Sequence, residues 1–177
     1  MFPRPATGIV IKTHKNDGQR FNRAVHLIRN PLDAISSHHE YMHRYFPLRA
    51  QDWKTHVETQ KREWKKHTEY WMRQAMPRIT VRYEDLTAEP VQEPRKLAQF
   101  LHLEVDDSEI ENAIEACKID RLRAESSKRG EDAAGFFRKG ESGHGIARYS
   151  ADEIEALDAE LGELMGEFGY KIPSRTQ

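Results

Sequence analysis

The stretch Ala24-Val25-His26-Leu27-Ile28-Arg29-Asn30-Pro31-Leu32-Asp33-Ala34-Ile35-Ser36-Ser37 decides how the chain is read. Its first five residues are an apolar run of strand length. Asn30 then offers an N-cap and Pro31 suits the first position of a helix. Asp33 falls in the first turn, where a negative charge complements the helix dipole. A strand running into a capped helix presents backbone N–H groups beside the Arg29 guanidinium, which is the makeup of an anion site. Ser37, two turns on, adds a hydroxyl. On this geometry alone an ordinary strand–helix corner with a surface arginine fits equally well.

Composition narrows the class. At 177 residues, with 37% hydrophobic and 32% charged residues, the chain is of a size for one domain with one core. There is no run of about 18 apolar residues, so no membrane span is expected. A single cysteine, Cys117, excludes an internal disulfide and a cysteine-based zinc site. The net charge of −1 conceals an asymmetry: residues 1–83 carry 16 Lys+Arg against 7 Asp+Glu, and residues 84–177 carry 12 against 22. A basic half suits an anionic ligand. With no zinc-finger spacing, no RNA-binding aromatic signature and no block of like charge, nucleic acid is not the expected partner.

Outward from the corner, Gly8 to His14 reads as a short buried strand, with Lys12 and His14 projecting to one side. Asn16-Asp17-Gly18-Gln19 reads as a turn, followed by the strand over 23–28. The helix from Pro31 should run to Tyr45, with Ile35, His38, Met42 and Tyr45 as a stripe and Pro47 after its end. His38, His39 and His43 lack a carboxylate in a ligand pattern and are expected to be solvated or capping, so no metal is expected. Gln51 to Met76 reads as a long helix with Trp53, Val57, Gln60, Trp64, His67 and Trp71 on one face. Residues 78–83 form a third strand ending at Tyr83-Glu84-Asp85-Leu86. Helices follow from Pro94 to Leu103 and from an Asp107 cap, with Cys117 as a small core residue. Arg121 to Gly145 reads as a polar, mobile, glycine-containing loop. Ser150 and Glu153 form a capping box for a last helix ending at Gly169. Strands alternating with helices give an α/β class with a parallel sheet flanked by helices.

Four motifs in order carry a resemblance over about residues 8–170. They are Lys12-Thr13-His14, Arg29-Asn30-Pro31 with Ser37 eight residues after the arginine, Tyr83-Glu84-Asp85-Leu86, and Phe137-Arg138-Lys139-Gly140. The chain resembles the sulfotransferases that use 3′-phosphoadenosine 5′-phosphosulfate (PAPS). The stretch from Trp64 to Trp71 further resembles the WSC-domain-containing branch. The resemblance implies a P-loop-NTPase-like fold over residues 1–177 and transfer of a sulfonyl group to an acceptor hydroxyl or amine. By it, Arg29 and Ser37 bind the donor's 3′-phosphate, and Arg138, Lys139 and Gly140 close on the same group. Tyr83 contacts the adenine. His14 is the general base and Lys12 steadies charge on the transferring group. The family needs no metal. Carbohydrate, lipid, small-molecule and peptide acceptors all stay open, as does the oligomeric state.

Two departures stand out. The family's Tyr-Pro-Lys-Ser-Gly-Thr-Thr type of loop for the 5′-phosphosulfate lies upstream of its Lys-Thr-His motif, and only eleven residues precede Lys12. The N-terminal strand and loop are therefore expected to be missing from this chain. After Gly140 the glycines at 143 and 145 flank His144, where the family has Asp-Trp. Either the chain is part of a longer sulfotransferase, or it is a truncated, non-catalytic nucleotide-binding or interaction domain. The first reading admits a Golgi-lumenal protein behind an N-terminal anchor; the second fits the cytoplasm.

Overall fold

The computed structural model describes residues 10–128 and 142–172. Helix dominates. In chain order the regular elements are β1 (Ala24–Ile28), α1 (Pro31–Tyr45), α2 (Trp53–Met72), β2 (Arg78–Arg82), α3 (Tyr83–Ala88), α4 (Gln92–Phe100), α5 (Asp107–Ala116), α6 (Ile119–Lys128) and α7 (Ala151–Gly166). The two strands pair side by side in a parallel sheet, and Ala24 N–H donates to Pro77 O at 3.0 Å where the ladder begins. The class is α/β. Among the described residues no helix is long and apolar enough to cross a membrane.

The chain divides into two compact units, Met1–Leu27 with Ala75–Gly140 and Ile28–Gln74 with Glu141–Gln177. In the first, Val81, Ala98 and Ile110 are buried along with His26. Arg23 lies over the Phe100 ring at 5.2 Å and donates to the Phe100 carbonyl, tying the approach to β1 onto the end of α4. In the second, one cluster joins Ile28, Leu32, Ile35, Val57, Tyr149, Ile154, Leu157, Leu161, Met165 and Tyr170. Leu157 and Leu161 are 1% and 0% exposed, and burial of each stabilises the unit by about 1.5–3 kcal/mol. Trp53 and Trp64 pack against this cluster, as their helical spacing implies.

Local chemistry explains the helix ends. Asp52 accepts from Thr55 N–H at 3.0 Å and starts α2, which holds neither Gly nor Pro. The capping box of Ser150 and Glu153 is present at α7. Past its end, Gly169 takes φ +71° and Tyr170 N–H reaches back to Met165 O at 3.1 Å, a left-handed termination that glycine permits.

Several expectations are corrected. Residues 10–14 form no strand, and Val10 and Ile11 are 74% and 61% exposed. An apolar run becomes a strand only where a ladder receives it, and among the described residues the sheet pairs β1 with β2. Tyr83 opens α3 rather than ending β2. Asp106, not Asp107, caps α5, because its side chain meets Glu109 N–H while Glu109 bonds back. Cys117 lies exposed just past α5. The stretch expected as loop from Arg121 begins inside α6; residues 129–141 are outside the described residues. The buried side of α1 is Leu32, Ile35, Ser36 and His39, one position round from the expected stripe.

The sequence also gives no warning of Lys61. Its side chain is 2% exposed, and its ammonium donates to Glu160 at 2.6 Å and Glu58 at 2.9 Å, tying α2 to α7. Burial pulls its pKa down, but the hydrogen bonds of Glu160 and Glu58 outweigh that and hold it above the ordinary value. Lys61→Ala should destabilise the protein by about 1–3 kcal/mol in urea unfolding. Because the folded-state pKa lies above 10.5, the difference from wild type should persist through neutral pH. It should narrow only as pH rises beyond that value.

Candidate functional site

The strand–helix corner expected from the sequence is formed between β1 and α1. Asn30 Oδ1 accepts Leu32 N–H at 3.0 Å, and Ala34 N–H donates to Asn30 O at 2.9 Å. Pro31, at the first helical position, has no N–H to satisfy. This cap contributes about 1 kcal/mol and fixes the direction in which α1 leaves the strand. Arg29 stands immediately before it, and Ser37 lies in the second turn of α1; both are half-buried in the second unit.

Three further groups hold this corner. Trp64, from α2, donates its indole N–H to Arg29 O at 3.1 Å. Tyr149 donates its hydroxyl to Leu32 O at 3.1 Å, and burial pushes that phenol's pKa up. Asp33 is 5% exposed, and its two carboxylate oxygens accept the backbone N–H groups of Gly143 at 2.6 Å and Gly145 at 2.7 Å. Sequence reasoning assigned Asp33 only to the helix dipole. Its partners lie 110 and 112 residues away, and no local pattern reports such a bond. Glycine is required at 145 by close approach: a Cβ there would meet Asp33 Cα at 2.7 Å as well as the Leu32 carbonyl.

Beside the corner, α1 and α2 meet through imidazoles. His38 Nδ1 and His56 Nε2 are 3.4 Å apart, and His39 packs edge-on to both His56 and Trp53. Arg148 donates to His39 Nδ1 at 3.2 Å and to Glu40 at 3.1 Å, with its guanidinium 4.4 Å over Trp53. His43 donates to Gln51 O at 2.9 Å, in the connection that leads into α2, so it ties the two helices' joint together instead of capping a helix end. Among the described residues no three His, Cys, Asp or Glu side chains are placed to hold a metal ion. His56, which the sequence did not single out, is the most perturbed of these rings. Burial first, then His38 and His39, hold its pKa down to about 4.

The remaining expected site residues belong to the other unit or fall outside the described residues. Lys12 and His14 belong to the first unit, exposed, on an irregular segment. Thr13 between them donates its hydroxyl to Asp17 at 3.2 Å and receives Lys15 N–H at 3.0 Å. Tyr83, also of the first unit, is half-buried at the start of α3. Arg138, Lys139 and Gly140 fall outside the described residues.

Against known proteins, the sulfotransferase domain family matches residues 17–169. A cytosolic sulfotransferase 10 of Arabidopsis thaliana is 27% identical over 104 residues, which are 53% of this chain and 31% of that protein. The mouse sulfotransferase SULT7A1 complexed with PAP superposes with a TM-score of 0.69 at 21% identity, over 80% of this chain and 57% of that one. A retinol dehydratase in complex with androsterone and the inactive cofactor PAP gives 0.66 at 18% identity, over 84% and 49%. The chain therefore spans about a third of the curated relative and about half of the solved structures it matches.

Two outcomes follow from the geometry. Gly145→Ala should lose about 1–3 kcal/mol of unfolding free energy, since the added methyl would press on the Leu32–Asp33 backbone, which cannot give way as a flexible side chain would. His56 resists protonation in the folded chain but not in the unfolded one, so the unfolded state binds more protons between its ordinary 6.5 and about 4. Stability should fall as pH is lowered through that window. His56→Gln should flatten the fall, as read by denaturant midpoints at successive pH values.

Proposed function

The chain belongs to the sulfotransferase family, and from that premise we propose that it binds PAPS and serves transfer of its sulfonyl group to an acceptor hydroxyl or amine. The observation that carries this reading is the corner at Arg29. A guanidinium stands at the start of a capped helix, on backbone held from α2, from Tyr149 and through Asp33. A 3′-phosphate is a dianion, and arginine meets such a group with two parallel hydrogen bonds while helix N–H groups favour its charge. The Ser37 hydroxyl adds a donor from the same helix. The PAP bound to the related structures supports the choice of nucleotide.

On this reading residues 1–177 act as one sulfotransferase domain. Arg138, Lys139 and Gly140 grip the same phosphate, and Tyr83 contacts the adenine. In the reaction the acceptor oxygen or nitrogen attacks sulfur, and the bond from sulfur to the 5′-phosphate oxygen breaks. 3′-Phosphoadenosine 5′-phosphate (PAP) leaves and the acceptor proton passes to His14. Imidazole as a residue type suits that role near neutral pH. Lys12 balances charge on the transferring group, since such transfers depend on positioning and electrostatics. The acceptor is a carbohydrate, a small molecule or a peptide. The exposed, irregular placement of Lys12 and His14 favours a second reading for the chain by itself: a domain that holds the nucleotide without turnover.

Thermal unfolding with increasing PAP tests the donor site. The midpoint should rise with ligand concentration, and Arg29→Ala should remove most of the rise. No rise up to millimolar PAP would overturn the reading. In a form of the protein that turns over PAPS, His14→Ala should lower kcat by about 100-fold or more; binding without any turnover would favour the second reading.

A further inference from the structure

A guanidinium can meet a phosphate reproducibly only if the backbone it hangs from is fixed. The Arg29 carbonyl precedes the N-cap of α1, so the helix itself offers it no N–H. Its partner comes from another helix: the Trp64 indole N–H at 3.1 Å, from the middle of α2. The ring is packed against the core cluster of the same unit, so the donor is rigidly placed. Asn30 and Tyr149 bond Leu32 three residues on, and Asp33 bonds the glycine turn. None of these contacts reaches Arg29 itself.

We propose that Trp64 is a positioning residue for the nucleotide's 3′-phosphate. Its N–H fixes the peptide unit at Arg29, and so fixes the direction from which the guanidinium reaches the anion. This inference rests on the donor-site reading above. It assigns Trp64 a share in recognising one phosphate rather than a general share in stability. Partners that orient metal ligands change affinity by about 10-fold or more when lost, and an effect of that order is expected of Trp64 by analogy.

The test separates position from stability by comparing two ligands. Dissociation constants for PAP and for adenosine 5′-phosphate, which lacks the 3′-phosphate, are measured by calorimetry on the full chain. Wild type should prefer PAP, and Arg29→Ala should abolish the preference. Trp64→Phe keeps an aromatic ring and loses the N–H; it should cut the preference by about 10-fold while adenosine 5′-phosphate binding stays unchanged. Val57→Ala, which weakens the same core with no bond to Arg29, should leave the preference intact. Site-specific replacement of Trp64 by benzothienylalanine keeps the bicyclic shape and lacks the donor, and it decides the matter should Trp64→Phe fail to fold. If both Trp64 changes leave the preference at the wild-type value while Arg29→Ala removes it, this inference is overturned and the donor-site reading stands. A wild type without preference overturns both.

Discussion

A buried carboxylate is tolerated only where hydrogen bonds replace the water it has lost, and Asp33 meets that condition with two backbone N–H groups from one glycine turn. The pairing constrains much around it. It requires the turn to approach α1 so closely that residue 145 has no space for a side chain. It sets the start of the short 3-10 turn Gly145–Arg148, which delivers Tyr149 to the Leu32 carbonyl and Arg148 to Trp53 and His39. Ser150 then caps α7, whose apolar face closes the core of the unit. One side chain in the first turn of α1 thus helps join the two stretches of chain that build the second unit.

The same constraint shapes the chemistry. An anion site needs donors whose direction does not change when the ligand arrives, because electrostatic recognition depends on preorganisation. At the Arg29 corner the backbone is fixed by an asparagine cap, an indole, a phenol and the aspartate–glycine clamp. The helix that follows is locked to α2 by imidazoles and by the core aliphatics Ile35 and Val57. Lys12 and His14, by contrast, sit on an exposed segment of the other unit, beside the local hydrogen bonds of Thr13 to Asp17 and Lys15. The Arg29 corner rests on packed, hydrogen-bonded backbone, while Lys12 and His14 are exposed.

What the sequence made legible is local. The Asn30–Pro31 cap, the extent of α1 to Tyr45 and the Ser150–Glu153 box depend on residues within a few positions of each other, and all three are found as read. The order of four short motifs along the chain pointed to the family, and the family match spans residues 17–169. Long-range chemistry was not legible. Nothing near Asp33 announces Gly143 and Gly145, and nothing near Lys61 announces Glu160, 99 residues away. The apolar residues of the segment ending at His14 read as a strand because composition cannot report whether a neighbouring strand is there to receive them. The spacing of Cys117 from Ile110 suits a buried face, yet α5 has ended by then and the thiol is exposed.

The claim that ties these observations together is that the β1–α1 corner holds the nucleotide by its 3′-phosphate. A crystal structure of the chain with PAP bound tests it most directly. The account predicts the 3′-phosphate on the Arg29 guanidinium and within hydrogen-bond reach of the Ser37 hydroxyl, at the start of α1. PAP bound with its 3′-phosphate away from both residues would contradict it.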